Sequence, residues 1–211
     1  MNTLVHEEQY RGEELLKKME EKAYVICGVG AIGSNLVNNM VRQGFKKISV
    51  IDFDRVDDHN RHTQLWGRRH IGQLKANMLK NIIYENMGVQ IDTIPKKLEE
   101  GNLKKFLGQG SVIVDGFDNS ESRALVAEYA TKTGADCLHV GLYQDYAEIV
   151  WNEDYRVPKN VQAKDVCEYP LARNVILMAV AVATEVLIRH LDTGVKENYE
   201  ITLKDFSIRK R

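Results

Sequence analysis

Apolar and polar positions alternate along this chain in two periods, and the switches between them mark out the elements. Residues 23–27 form an unbroken apolar run that gives way to glycines and resumes as Ile32, Leu36, Met40 and Val41 at helical spacing. Strand, tight turn and helix are therefore expected in that order, with Gly44 closing the helix before a second apolar run at residues 48–51. Upstream, residues 7–22 carry Leu15, Leu16 and Met19 as one stripe among charges, which predicts a single surface helix. Downstream, the pattern predicts a helix over 71–87, a β-branched strand over 89–94 and a crossover helix over 98–107. A buried strand over 111–116 and a helix over 121–133 follow.

The later half breaks this rhythm. Residues 136–141 and 147–151 read as strands separated by Gln144-Asp145, close enough to form a hairpin and hence an antiparallel edge. Residues 152–170 hold two of the three prolines, mixed charge and no period, which predicts a long ordered loop over the ligand crevice. A buried helix over 171–191 and a last strand over 199–208 complete the chain. The fold class that follows is α/β: a Rossmann-like, doubly wound, mostly parallel sheet with an antiparallel extension in the C-terminal half. Residues 1–211 are expected to make one domain, with the ligand beyond the carboxyl ends of the parallel strands.

Composition narrows the function classes. Lys and Arg number 29 against 30 Asp and Glu, a balance that gives nucleic-acid binding no support. The three cysteines, Cys27, Cys137 and Cys167, form no C-x-x-C pair, so neither a disulfide framework nor a structural zinc site is expected. The first 23 residues are charged and amphipathic instead of carrying a signal peptide's apolar core. The run 175–183 is too short to span a bilayer. A soluble, cytoplasmic protein with no membrane partner is the expectation.

The candidate chemistry begins at Gly28-Val29-Gly30-Ala31-Ile32-Gly33. Gly28 can adopt the turn's backbone angles, Gly30 has no side chain to hold a phosphate away, and Gly33 lets helix and strand pack closely. The amides of the helix start, at Ala31 and Ile32, then face the phosphate. Asp52 ends the next apolar run, at the distance expected of a ribose-binding acid. A glycine-rich turn backed by a structural acid is the plain alternative. Beyond Asp52 come Asp54, Asn60, Arg61 and Gln64, then Lys75 at a helix start, and Asp118-Asn119 after the later strand. A dehydrogenase needs one acid here and little else. A rim with an amide, an arginine, a lysine and an aspartate can instead hold a triphosphate and its Mg²⁺. Lys75 opposes the local helix dipole, which points to an anion as its partner. Asp118 can also cap the helix that follows it. His59, His62 and His70 lack ligand spacing and read as loop histidines. Cys27 and Cys137 fall in apolar strands and read as core.

These motifs, in this order over residues 24–190, resemble the ThiF/MoeB/ubiquitin-activating superfamily of ATP-dependent adenylyltransferases. The resemblance implies that Asp52 binds the ATP ribose, that Asn60 and Lys75 contact phosphates, and that Asp118 holds a catalytic Mg²⁺. It implies a carboxylate substrate, usually the C-terminal glycine of a small ubiquitin-like or sulfur-carrier protein or a peptide, which becomes an acyl-adenylate as pyrophosphate leaves. It also implies a homodimer in which an N-terminal arginine, here Arg11, reaches the neighbour's ATP. Read without the resemblance, Arg11 is an exposed arginine among Glu7, Glu8, Glu13 and Glu14. Cys167 lies where some relatives place a cysteine that forms a persulfide or acyl bond.

Three features depart from the family pattern. Its arginine usually precedes the glutamine, as in Asn-x-x-Arg-Gln, whereas here Arg61 follows Asn60 and Thr63 takes that place. The paired zinc cysteines of many bacterial members are missing, and no added catalytic-cysteine or ubiquitin-fold domain is expected. Two alternatives stay open: an NAD(P)- or FAD-dependent oxidoreductase using the same glycines and Asp52, and a non-catalytic partner subunit with this fold.

Overall fold

The computed structural model describes residues 3–108, 111–158 and 170–211. Five strands run parallel: β1 (Ala23–Cys27), β2 (Lys47–Ile51), β3 (Asp92–Ile94), β4 (Val112–Asp115) and β5 (Cys137–Tyr143). β6 (Tyr146–Trp151), β7 (Tyr199–Thr202) and β8 (Ser207–Lys210) extend the sheet antiparallel, in the order β3-β2-β1-β4-β5-β6-β7-β8. This is the expected doubly wound sheet with its antiparallel extension. Chain order reverses direction between β1 and β4, so the ligand crevice belongs above those two strands.

Register places the crevice more closely. Cys27, Ile51, Ile94, Asp115 and His139 stand in one row across the sheet. The chain leaves β1, β2 and β4 at that level, through Gly28, Asp52 and Gly116. β1 is buried on both sides because its alternate residues serve two cores. Tyr24 and Ile26 pack with Ile32, Leu36 and Met40 of α3 (Ala31–Arg42), and with Leu79 and Ile83 of α4 (Lys75–Met87). Val25 and Cys27 face Leu107 of α5 (Leu103–Leu107) and Val126 and Ala130 of α6 (Ser120–Thr133). Full burial of each such aliphatic side chain contributes about 1.5–3 kcal/mol. Cys27 and Cys137 are buried free thiols in this second core, as their apolar strands imply.

The last helix, α7 (Arg173–Thr193), is long and apolar enough to cross a bilayer. Its apolarity has a use here, since Val175, Ile176, Ala179, Val180, Val186 and Leu187 are buried in the first core. Several segments differ from the pattern's forecast. Residues 7–22 are two helices, α1 (Val5–Arg11) and α2 (Glu13–Glu21), because Gly12 adopts φ 84° and ψ 154°, a conformation essentially confined to glycine. The helix forecast over 71–87 starts only at Lys75, the strand over 89–94 shrinks to β3, and 98–107 divides into a 3₁₀ turn and the short α5. Residues 199–208 are not one strand but the β7–β8 hairpin, reversed through residues 203–206 with Phe206 at φ 54°.

Candidate nucleotide site

The glycine turn is built by close approach. Gly28 has φ 85° and donates its N–H to the Ile51 carbonyl at 2.9 Å. A β-carbon there would meet the Gly116 oxygen at 3.0 Å and the Phe117 ring at 3.1 Å. At Gly33 it would lie 1.9 Å from the Gly28 oxygen, so helix α3 can sit this close to the turn only with glycine. Gly30 is different, as the nearest atom to its missing β-carbon is Gln64 Nε2 at 3.9 Å. The space above Gly30 is therefore open, and no side chain caps the amides at the start of α3. Those amides and the positive end of the helix dipole face the crevice.

Asp52 lies across this turn. Its carboxylate accepts the Val29 N–H at 2.7 Å and the Asp54 N–H at 2.8 Å. Burial pushes its carboxyl above the usual range, against the opposing pull of Lys75 and those two amides. Lys75 is the first residue of α4 and is buried, which is rare for lysine without a partner. Its partner is Asp54, with Nζ 3.2 Å from Oδ2, and its own N–H bonds the Asp54 carbonyl at 2.9 Å. The lysine is thus held at the crevice against the dipole by a half-exposed carboxylate that an incoming phosphate can replace.

Residues 58–62 form a 3₁₀ turn in which Asp57 and Asn60 cap each other. The Asn60 side-chain oxygen accepts the Asp57 N–H at 3.0 Å, leaving its amide nitrogen as the group it can offer a phosphate. Gln64 stands by Gly30 and accepts the Trp66 indole N–H, while Asn35 of α3 holds the Thr63 carbonyl at 2.9 Å. Arg61 instead pairs with Asp58 at 2.6 Å on the exposed side of the turn. A cation that spacing gave no reason to choose, Arg173 at the start of α7, donates to the His62 carbonyl at 2.8 Å and so reaches the same segment.

Asp118 and Asn119 follow β4. The cap of α6 is Asn119, whose side chain accepts the Ser122 N–H at 2.9 Å; Asp118 is not needed for it and remains exposed. Among the described residues, no group of three or more His, Cys, Asp or Glu side chains is placed to hold a metal. An exposed carboxylate that accepts only the long Asn119 amide bond at 3.5 Å among those described still suits Mg²⁺, which commonly takes one or two carboxylates, substrate phosphate oxygens and water.

Of two further residues that the sequence offered, Arg11 for a neighbouring subunit's site and Cys167, only Arg11 is described. Arg11 is not exposed: its side chain is 10% accessible and bonds Glu7 at 2.6 Å and Glu185 of α7 at 2.9 Å. Any contact with a neighbouring subunit's nucleotide would have to displace both carboxylates. Cys167 lies outside the described residues. Sequence reasoning also missed a buried polar cluster beneath the crevice, formed by Asp115, Arg123 and His139 with Tyr155. Asp115 and His139 sit in apolar strands and Arg123 in a helix, so no motif spacing announced them. A cavity of about 420 Å³ lined by Ala127, Thr131 and Asn152 lies toward the other end of α6, away from the glycine turn.

Fold and site together define a doubly wound α/β protein whose glycine turn opens into a crevice at the β1–β4 switch point, where sheets of this kind bind their ligands. The chain belongs to the ThiF family, which it matches over residues 6–200. It is 27% identical over 135 residues to the sulfur carrier protein adenylyltransferase of Thermus thermophilus, covering 63% of this chain and 50% of that protein. It is 32% identical over 133 residues to tRNA threonylcarbamoyladenosine dehydratase 2 of Saccharomyces cerevisiae, covering 60% of this chain and 29% of that one. The matches thus span half or less of these curated relatives. Crystal structures of E. coli MccB share the fold: the complex with MccA-N7isoASN superposes with a TM-score of 0.83 at 16% identity, covering 100% of this chain and 71% of MccB. The complex with ATP gives a TM-score of 0.81 at 17% identity, with the same coverage.

Proposed function

We propose that this protein is an ATP-dependent adenylyltransferase that activates a carboxylate as an acyl-adenylate. The observation that carries the reading is the buried Lys75 held at the crevice by Asp54, beside a glycine turn whose helix amides are uncapped. An oxidoreductase would use the glycines and Asp52 and leave Lys75, Asn60 and Asp118 without work.

In this reading the α3 amides and Lys75 cradle the phosphates, Asp52 takes the ribose hydroxyls, and Asp118 holds Mg²⁺. The metal supplies charge neutralisation at the phosphate oxygens. The chain's own task is alignment: it sets the substrate carboxylate in line with the α-phosphorus and stabilises the charge that develops there. No general base is required, since a carboxylate is already ionised near neutral pH. An oxygen–phosphorus bond forms and the bond to pyrophosphate breaks.

The substrate of the proposal is the C-terminus of a small ubiquitin-like or sulfur-carrier protein, or of a peptide. The relative from Thermus is named for a sulfur-carrier protein, and MccB is crystallised with MccA. The yeast relative is named for a modified tRNA nucleoside, but a net charge of −1 offers little to attract tRNA. ATP–pyrophosphate exchange against a panel of such carriers and peptides tests the reading. Exchange that depends on one free C-terminal carboxylate is expected; no exchange with any of them, together with tight NAD binding, would contradict it.

The protein is further proposed to work as a cytoplasmic homodimer in which Arg11 serves the partner's site. In that arrangement Arg11 trades Glu7 and Glu185 for phosphate when the subunits pair. Mixing Arg11→Ala with Lys75→Ala subunits is expected to restore part of the activity that each homodimer lacks. A mixture that stays inactive while subunits exchange would confine Arg11 to its bonds with Glu7 and Glu185.

A further inference from the structure

We infer that Arg123 is a positioning residue, locked into a buried network with Asp115, His139 and Tyr155, that fixes the peptide carrying Asp118. The inference rests on the proposed function, because Asp118 matters only if it holds a metal there. Asp118 is exposed, on a short connection between the end of β4 and the start of α6. A side chain so placed owes its aim to the backbone before it, and that backbone is held on both faces. The Phe117 N–H donates to Asp115 Oδ1 at 3.1 Å, and the Phe117 carbonyl accepts Arg123 Nε at 2.6 Å.

Both holding groups are themselves fixed. Arg123 donates to the Tyr155 hydroxyl at 3.0 Å and to the Val140 carbonyl at 2.9 Å, and its Nη1 lies 4.0 Å from Asp115 Oδ2. Asp115 Oδ2 is 2.8 Å from His139 Nδ1, and the His139 ring stacks on Tyr155 at 3.7 Å. Arg123 is 8% accessible, while Asp115 and His139 are fully buried. Burying charge costs several kcal/mol unless it is well paired, and apolar residues of similar size often serve packing as well or better. Packing alone therefore does not account for an arginine here. What the arginine adds is an address: it binds the carbonyl of the residue just before Asp118. The Phe117 ring also lies against Gly28, so one residue ties the carboxylate's loop to the phosphate turn.

Arg123→Lys keeps a positive charge but cannot bond Phe117, Val140 and Tyr155 together. Tyr155→Phe loosens the guanidinium while leaving its bond to Phe117, and stands in if the lysine variant fails to fold. The probe is Mn²⁺ binding, read by electron paramagnetic resonance in the presence of a non-hydrolysable ATP analogue, with metal-free analogue affinity measured by calorimetry. Arg123→Lys is expected to weaken Mn²⁺ binding by about tenfold or more, the usual cost of losing a group that orients a metal ligand. Tyr155→Phe should weaken it less, and metal-free analogue affinity should not change in either. Wild-type Mn²⁺ affinity in a folded variant overturns the inference, as does an equal loss of metal-free analogue binding. If the wild-type protein binds the analogue but no Mn²⁺ beside it, the metal role of Asp118 fails, and the inference with it.

Discussion

Lys75→Ala and Asp118→Ala are each expected to lower ATP–pyrophosphate exchange by about a hundredfold or more, the usual loss when one group acting on developing charge is removed. The fold should survive both. Asp118 is exposed and caps nothing, so its removal leaves no buried group unpaired. Lys75 is buried, but its partner Asp54 is half-exposed and can turn to water. Circular dichroism and thermal melting of each variant, run beside the exchange assay, check both halves. Exchange near the wild-type rate in either variant would show that the residue does not act on the transferred phosphate.

Gly33→Ala and Gly30→Ala should fail differently, although both add one methyl group to the same motif. At Gly33 the new carbon would overlap the Gly28 oxygen at 1.9 Å, with backbone on both sides of the clash. The start of α3 would have to move, at a cost of about 3 kcal/mol or more, in the upper range for strain and overpacking. At Gly30 nothing lies within 3.9 Å, so the fold should hold while the methyl group occupies the phosphate's approach. Urea unfolding and ATP calorimetry separate the cases. Gly33→Ala should lose stability and binding together, and Gly30→Ala binding alone. A stable Gly33→Ala variant that binds ATP would contradict the close approach described for α3.

Much of this architecture was legible because parallel strands and their helices leave strong local marks. The run before Gly28, the stripe of Ile32, Leu36 and Met40 and the acid at Asp52 each follow from burial or from backbone geometry within a short window. The lysine at a helix start predicted an anion, and Asp54 now fills that place. What escaped depends on partners distant in sequence. Without the resemblance Arg11 reads as a surface charge, and with it as a partner's ligand; neither reading finds its own carboxylate, Glu185, which lies on the last helix. The Asp115–Arg123–His139 cluster joins two strands and a helix, and each member alone looks like an exception in an apolar or helical stretch. Gly12 was read through because the charges on both sides suit a helix, and only its positive φ ends one. The tail was read as one strand because its reversal at 203–206 contains no glycine or proline, the usual turn signals.

The central claim is that the substrate's carboxylate attacks the α-phosphorus, and heavy-oxygen labelling measures that bond directly. A carrier or peptide that supports exchange would be labelled with ¹⁸O in both C-terminal carboxylate oxygens, then incubated with the enzyme, ATP, Mg²⁺ and hydroxylamine to take up the acyl group. Mass spectrometry would follow the AMP released. The account predicts AMP carrying one heavy oxygen from the carboxylate, and a hydroxamate that keeps the other. AMP without heavy oxygen would mean that no bond formed between that carboxylate and the α-phosphorus, and would contradict the account.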